Sequence, residues 1–246
     1  KGVIGTDIYG MALAADILAA LKTVVFEQKY YSFDEVMTAA EADFAGQEPM
    51  RQKLLNAAPK YGNDNDTVDS IAAELVNVTA DACAHESPFL TDGSTMRLIF
   101  PGTNYYVNMG KDLPATPDGR HAGEPVSDSG APVSGRDLKG MTALFNSLGR
   151  IDHKRFNGMA LNVRLNSDDF KGAEGLRRFR VILDIMRIKG LQELQFNCVS
   201  TEVLREAKLA PERHRNLLIR VAGYSDRFTN LQAGVQDAII ARQEQS

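Results

Sequence analysis

Helical periodicity is the clearest pattern in the first part of the chain. Between residues 7 and 28, apolar side chains recur every three to four positions, the spacing that places them on one face of an α-helix. Ser32 and Glu35 have the spacing of a capping box, which predicts a second helix that stops at Gly46. Further helices are predicted over residues 68–84 (capped by Asp66 or Thr67), 141–148, 174–189, 202–207 and 231–242 (capped by Asn230).

Short runs of β-branched and aromatic residues predict strands between several of these helices. The predicted strands cover residues 96–100, 105–109, 159–165, 194–199 and 217–221. Because strands alternate with helices in the second half, the sequence predicts an α/β fold with a parallel sheet. The segment from Gly110 to Gly140 is instead rich in Gly, Pro, Ser and Asp, which predicts a long loop.

Composition and charge exclude several kinds of partner. The 246 residues are 43% hydrophobic and 24% charged, which fits one large globular domain or two smaller ones. A net charge of -4 without long charged blocks argues against nucleic acid and membrane surfaces as partners. No apolar run reaches the roughly 20 residues that span a bilayer, and no signal-peptide pattern is visible. With only two cysteines, Cys83 and Cys198, the expected location is the reducing cytoplasm.

The residues that could ligate a metal do not have ligand spacing. The four histidines are far apart in sequence and lack nearby partners. Asp64, Asp66 and Asp69 suggest a calcium loop, but its central glycine and terminal glutamate are missing, so helix capping is the better interpretation. No nucleotide-binding loop or Ser/His/Asp arrangement appears either. The sequence therefore predicts no metal site and no bound cofactor.

A six-residue segment near the C-terminus carries the most specific chemistry. The apolar run 217–221 predicts a short buried strand that leads to Gly223, which alone would indicate only a turn. However, Arg220-Val221-Ala222-Gly223-Tyr224-Ser225 resembles the radical loop of the glycyl radical enzymes, the superfamily of pyruvate formate-lyase and the glycyl radical diol dehydratases. Flanking residues agree with the family's spacing: Gln195-Phe196-Asn197, Leu231, Gln236-Asp237, Ile239-Ile240 and Arg242.

Two further segments carry the same resemblance. Residues 115–128 resemble the family's Ala-Thr-Pro-Asp-Gly-Arg signature loop, although Asp118-Gly119 also has the composition of an ordinary tight turn. Residues 56–64 resemble another segment common in the superfamily. Matching residues extend from Ala14 to Arg242, so the resemblance covers essentially the whole chain.

The resemblance implies that Gly223 is the catalytic residue, as the site of a backbone radical. Such a radical is delocalised into both flanking amides and needs a planar α carbon, which a β carbon would crowd. Arg220, Val221, Ala222, Tyr224 and Ser225 would then form the radical loop around it. In the family, a separate activase that uses S-adenosylmethionine and an iron–sulfur cluster installs the radical. Those cofactors belong to the activase, so this chain is expected to bind none.

The implied fold is the second half of a ten-stranded α/β barrel with a C-terminal radical-loop domain. Residues 1–118 would be the C-terminal part of a pyruvate formate-lyase-type barrel domain, and residues 126–246 the glycine radical domain. The family's thiyl cysteine lies in a Gly-Cys-x-Glu motif, which neither Cys83 nor Cys198 matches. The catalytic cysteine is therefore expected outside this sequence, on an N-terminal half of the barrel that is missing sequence or a separate subunit.

The radical loop and signature loop resemble the lyase and dehydratase branch of the superfamily. In that branch a cysteine thiyl radical abstracts a substrate hydrogen, and cleavage of a C–O, C–N, C–S or C–C bond follows. The implied partners are the activase, the other half of the barrel and a small-molecule substrate, in an oxygen-sensitive homo-oligomer. Alternatives are a formate acetyltransferase-type activity, a non-catalytic spare subunit that rescues a damaged partner enzyme, and a structural subunit that is never activated.

Overall fold

The computed structural model describes residues 2–90, 92–242 and 244–245. Lys1 and Ser246, the outermost residues of the two predicted domain ranges, lie outside the described residues. A parallel sheet organises the chain, with its main strands side by side in sequence order: β1 (Val3–Asp7), β2 (Thr95–Phe100), β3 (Phe156–Leu165) and β4 (Glu193–Asn197). β2 pairs with the first half of β3 and β4 with the second half, so the sheet is staggered. The predicted α/β class with a parallel sheet is confirmed.

Helices connect these strands, as parallel pairing requires. They are α1 (Met11–Ala20), a π-helical continuation (Leu21–Glu27), α2 (Phe33–Glu41), α3 (Glu48–Ala57), α4 (Asp66–Glu86), α5 (Tyr105–Lys111), α6 (Gly140–Leu148), α7 (Gly172–Lys189), α8 (Thr201–Leu209) and α9 (Ala233–Ile240). A separate antiparallel hairpin consists of β5 (Leu218–Arg220) and β6 (Ser225–Arg227), and β7 (Glu244–Gln245) pairs with the end of β3. No helix of the described residues is long and apolar enough to cross a membrane.

The hydrophobic core has three parts. The largest lies between the sheet and the helices α1, α4, α6 and α7, and contains residues such as Ala15, Ala72 and Leu161. A second surrounds the β5–β6 hairpin and includes Leu204, Ile219 and others from α5, α8 and α9. A third packs α2 and α3 against the π-helical segment. The second part is the one that positions the hairpin.

Several local predictions agree with the structure. Ser32 accepts a hydrogen bond from the Glu35 backbone while Glu35 reaches back to Ser32, which completes the capping box. The helix that it opens ends at Glu41, earlier than the predicted stop at Gly46, and a turn continues to Gly46, where φ is +70°. Gly190 ends α7 with φ of +70°, as its position after the periodic segment predicted.

The prediction of a strand over residues 105–109 is wrong, because these residues begin α5. Tyr106, Val107 and Gly110 are buried there, a spacing that fits one helix face, and tertiary packing overrides the β propensity of tyrosine and valine. The edge strand β1 was not predicted. Its two apolar residues at the start, Val3 and Ile4, are more than 40% exposed, so it lacks the buried pattern that marks a strand.

Two helix boundaries and one strand end also need correction. The N-cap of α4 is Asn65, whose Oδ1 accepts from the Thr67 N–H at 3.1 Å, rather than Asp66 or Thr67. The last helix begins at Ala233 because Asn230 belongs to a 3₁₀ turn. Strand β4 stops at Asn197, which leaves Cys198 exposed instead of buried in the strand.

Candidate active site

Gly223 lies at the tip of the β5–β6 hairpin. The two strands pair antiparallel, with Arg220 opposite Ser225, and the Val221 N–H donates to the Tyr224 carbonyl at 3.0 Å. Ala222 is fully buried beneath the tip, whereas Gly223 and Tyr224 are exposed. The turn therefore presents the backbone of Gly223 at the surface of this chain.

The alternation of buried and exposed side chains along β5 explains why one face of the hairpin packs against the rest of the protein. Ile219 and Val221 point to one face and are buried with Phe228, which follows β6. Leu218 points to the opposite face and is 65% exposed. The apolar face of the hairpin packs against α8 and α9. Burial of each of its side chains contributes about 1.5–3 kcal/mol, which is enough to anchor the hairpin.

Three contacts from different elements hold the backbone of the loop. The Asn197 carboxamide, at the end of β4, accepts from the Arg220 N–H at 2.7 Å and donates to the Arg220 carbonyl at 2.6 Å. Arg242 Nη2 donates to the Val221 carbonyl at 3.0 Å. The Gly223 N–H donates to the Gly102 carbonyl at 2.6 Å, two residues beyond the end of β2.

Gly223 has no left-handed backbone conformation, so its identity has a different cause. Its φ is not among the positive values found at other glycines, such as Gly62 and Gly119. A β carbon at Gly223 would lie 2.9 Å from the Gly102 carbonyl oxygen, closer than real β carbons approach a backbone atom. Only glycine fits this contact without displacing the loop.

A buried charged cluster lies under the hairpin. Arg242 pairs with Asp128 at 3.1 Å, and the Asn162 amide of β3 donates to the same carboxylate at 2.9 Å. Burial raises the pKa of Asp128 from 3.8 to about 6, although Arg242 and the Asn162 hydrogen bond lower it. Ser129 next to it donates to the Phe100 carbonyl at 2.5 Å, which fixes the loop against the end of β2. The cluster therefore connects the hairpin to the sheet.

The signature loop that leads to Asp128 is organised by a second ionic network. Arg136 bridges Asp16 on α1, at 2.8 Å, and the fully buried Asp118. Burial raises the pKa of Asp16 to about 6, and Arg136 opposes this shift. The Arg120 guanidinium is buried and donates to three carbonyls of its own loop, at 2.6–2.9 Å.

A tight approach at Gly119 completes this loop. Gly119 has φ of +95°, and a β carbon there would lie 2.9 Å from the Arg51 carbonyl oxygen. The sequence resemblance and the turn interpretation of Asp118-Gly119 are therefore compatible, because the residues that carry the resemblance are those that shape the turn. The loop contacts the cluster under the hairpin through Asp128, and none of its atoms lies within 4 Å of a β carbon built at Gly223.

The remaining predicted loop residues take supporting positions. Arg220 is half-buried, and its Nε donates to Gln195 Oε1 on β4 at 3.0 Å. Burial raises the pKa of the Tyr224 hydroxyl, which remains partly exposed. Asn197 and Arg242 belonged to the sequence match, but nothing in the sequence indicated their contacts. Gly102 was missed, and its only signal was a Pro-Gly pair after a predicted strand.

Neither cysteine of the chain contributes a thiol to the loop. Cys83 is buried in α4, and the exposed Cys198 follows Asn197, where partial burial raises the pKa of its thiol. Among the described residues, no group of three His, Cys, Asp or Glu side chains is arranged to hold a metal ion. The loop backbone, with Gly223 exposed at the hairpin tip, is therefore not accompanied by a cysteine thiol or a metal site of the described residues.

Comparison with known proteins agrees with these features. A family model described as pyruvate formate lyase-like matches residues 2–110, and one described as glycine radical matches residues 126–229. The chain is 36% identical over 243 residues to the probable dehydratase YbiW of Escherichia coli (strain K12). It is 33% identical over 237 residues to trans-4-hydroxy-L-proline dehydratase of Clostridioides difficile. Each alignment includes 96% of this chain, which spans about 30% of the length of these relatives.

The fold shows the same relationship. The crystal structure of hydroxyproline dehydratase from Clostridioides difficile, with trans-4-hydroxy-L-proline bound, matches with a TM-score of 0.94 at 32% identity. The match covers 99% of this chain and 31% of that chain. This confirms the prediction that the parallel α/β sheet is part of a larger barrel of this type. Its glycine radical region, its pyruvate formate lyase-like region and its fold together show that the chain belongs to the glycyl radical enzyme superfamily and is a C-terminal-type portion of such an enzyme.

Proposed function

We propose that this chain is the radical-bearing part of a glycyl radical enzyme of the lyase and dehydratase branch, and that Gly223 carries the radical. The observation that most supports this is the contact between Gly223 and Gly102. The φ angle at Gly223 is not in the left-handed region that favours glycine, yet a β carbon there would lie 2.9 Å from a backbone oxygen. The loop therefore favours at position 223 a residue with two α hydrogens and no β carbon, and such a residue can lose one hydrogen to give a planar, delocalised radical.

The proposed chemistry begins with the activase, a separate radical-S-adenosylmethionine enzyme with an iron–sulfur cluster. It removes one hydrogen atom from the Gly223 α carbon, and the unpaired electron spreads into the amides on both sides. The hydrogen bond from the Gly223 N–H to Gly102 and the buried Ala222 hold the amide that precedes the α carbon in place. The glycyl radical then takes a hydrogen atom from a cysteine outside this chain and leaves a thiyl radical. That thiyl abstracts a substrate hydrogen, and a leaving group departs from the adjacent carbon.

The assembly follows from the same proposal. Residues 1–118 form the end of a pyruvate formate-lyase-type barrel domain, and residues 126–246 form the glycine radical domain. The rest of the barrel, supplied by further sequence or by another subunit, would cover the exposed hairpin tip and exclude water and oxygen. The complete enzyme would act on a small molecule as a homo-oligomer. A match that includes residues 2–110 argues against a spare radical subunit, whose known examples are shorter.

The names of the relatives favour elimination chemistry. They include two dehydratases that act on a hydroxyproline and on a sulfopropanediol, and lyases that release sulfite from isethionate. These substrates share a hydroxyl or sulfonate group that can leave after abstraction of a neighbouring hydrogen. We propose a substrate of this class, and trans-4-hydroxy-L-proline, (2S)-3-sulfopropanediol and isethionate are suitable first probes.

Oxygen provides a direct test of the radical position. The protein is incubated anaerobically with an activase, S-adenosylmethionine and a reductant, examined by electron paramagnetic resonance, and then exposed to air. We expect a carbon-centred radical signal, followed by cleavage into a long fragment that ends at Gly223 and a short one that begins near Tyr224. Unactivated protein serves as the control and should remain intact by mass spectrometry. Cleavage at another glycine, such as Gly190 or Gly234, would show that the radical is placed wrongly.

A further inference from the structure

The β5–β6 hairpin is attached to the main sheet by side chains rather than by a strand ladder. Among the described strands, β5 pairs with β6 only, although it packs beside β4. At the junction, the side-chain carboxamide of Asn197 makes the two hydrogen bonds to the Arg220 backbone that the backbone of a paired strand would otherwise make. It accepts from the Arg220 N–H at 2.7 Å and donates to the Arg220 carbonyl at 2.6 Å, so one side chain satisfies both backbone groups of one residue.

From these contacts we infer that Asn197 is a positioning residue for the radical site, because it determines where the backbone of Arg220 lies and hence where Gly223 lies. This inference rests on the proposed function of Gly223. Asn197 does not touch Gly223 itself. Arg220 is three residues before Gly223, so any displacement at Arg220 is transmitted along at most about 10 Å of chain.

The amide group is the feature that this position requires. Asn197 is only 6% exposed, so an unsatisfied polar group there would be costly, and its carboxamide is satisfied on both sides by the Arg220 backbone. The pairing needs one acceptor and one donor in a fixed geometry, which asparagine supplies and an ionised aspartate does not. Gln195, two residues earlier on the same strand face, holds the Arg220 side chain at 3.0 Å and fixes the same residue a second time.

The first measurement does not depend on the radical. Hydrogen exchange of the peptide that spans residues 218–224 is compared in wild type, Asn197→Ala and Cys198→Ser. The cysteine variant is a matched control, because Cys198 is adjacent and exposed. Loss of two hydrogen bonds should accelerate exchange of this peptide by roughly tenfold or more in Asn197→Ala, because local opening of the loop becomes easier. Exchange in Cys198→Ser should match wild type.

The second measurement uses Asn197→Asp, which keeps the size of the side chain. The ionised carboxylate still accepts from the Arg220 N–H but repels the Arg220 carbonyl, whereas the protonated acid can donate to it. Burial favours the neutral acid, and the guanidinium groups of Arg220 and of Arg164, its register partner on β3, favour the ionised form. As the pH falls through the pKa of the introduced carboxyl group, protection of the 218–224 peptide from exchange should return toward that of wild type. Asn197→Ala should show no such recovery of protection. The comparison therefore distinguishes a need for a hydrogen-bond donor from a need for side-chain volume alone.

The third measurement links the position to the radical. Activated wild type, Asn197→Ala and Cys198→Ser are exposed to limiting oxygen, and the radical signal is followed with time. We expect the radical of Asn197→Ala to decay about tenfold faster, in step with the greater opening of the loop, and that of Cys198→Ser to match wild type. No signal in wild type would refute the role of Gly223, while the exchange data would still test the position of Arg220. Equal acceleration at all slowly exchanging amides of β3 and β4, or unchanged exchange and decay in Asn197→Ala, would overturn the inference.

Discussion

Replacing Gly223 with alanine separates radical chemistry from folding at a single residue. The new β carbon would lie 2.9 Å from the Gly102 carbonyl oxygen, several tenths of an ångström inside normal contact. Because that oxygen belongs to the backbone, the hairpin tip must move, and the 2.6 Å hydrogen bond between Gly223 and Gly102 is weakened or lost. The substitution is therefore local, and its cost can be bounded.

Two opposing contributions set the change in unfolding free energy that Gly223→Ala should cause. Loss of one hydrogen bond costs about 0.5–1.5 kcal/mol. Since φ at Gly223 is not in the left-handed region, alanine also restricts the unfolded chain and returns about 0.4–1 kcal/mol. The net change in unfolding free energy is expected within about 1 kcal/mol, which corresponds to a Tm shift of about 2–4 °C or less for a chain of this size.

In contrast to its small effect on stability, Gly223→Ala should abolish the radical chemistry completely. Because the methyl group of alanine crowds the planar α carbon that the radical needs, Gly223→Ala should give no radical signal after activation, no cleavage in air and no turnover in the complete enzyme. The matched control is Gly158→Ala, because Gly158 has ordinary φ and a β carbon there would meet no atom within 4 Å, so this variant should retain both stability and radical. A radical signal or turnover that persists in Gly223→Ala would refute the assignment. A loss of several kcal/mol would refute the structural argument instead.

Three further predictions concern the network below the hairpin. Asp128→Asn should gain stability relative to wild type as the pH rises from about 4 to 7, by on the order of 3 kcal/mol, as measured by thermal unfolding at several pH values. The reason is that the pKa of Asp128 is raised from 3.8 to about 6 in the folded state, so its favourable contribution is present below pH 4 and is lost as the pH passes 6; a pH-independent difference would contradict this. Arg136→Ala should cost about 3–5 kcal/mol in urea unfolding, because it removes the ion-pair partner of the buried carboxylates of Asp16 and Asp118, and a change below about 1 kcal/mol would show that these ion pairs are not coupled to folding. Gly119→Ala should cost about 1–3 kcal/mol, since φ is +95° and a backbone oxygen blocks the β carbon, and wild-type stability in this variant would mean that the turn adopts another conformation.

The sequence predicted the type of fold and the residue proposed to carry the radical by two different means. Periodicity predicted most helices and the alternation that requires a parallel sheet, because amphipathic spacing is a local property of the chain. It failed at residues 105–109 and at β1, where burial depends on neighbours that are distant in sequence. The six residues around Gly223 identified the family because their resemblance is specific, whereas their local pattern indicated only a strand and a turn.

Only the tertiary structure could show how the loop is held. Gly102, Asn197 and Arg242 come from three separate parts of the chain and meet at one hairpin, and no spacing rule brings them together. The reason that residue 223 must lack a β carbon is a contact with a carbonyl more than 100 residues earlier, which a single sequence does not encode in any local signal. The sequence resemblance identified the residue that we propose carries the radical, and the fold determined the contact that a side chain at that position would disturb.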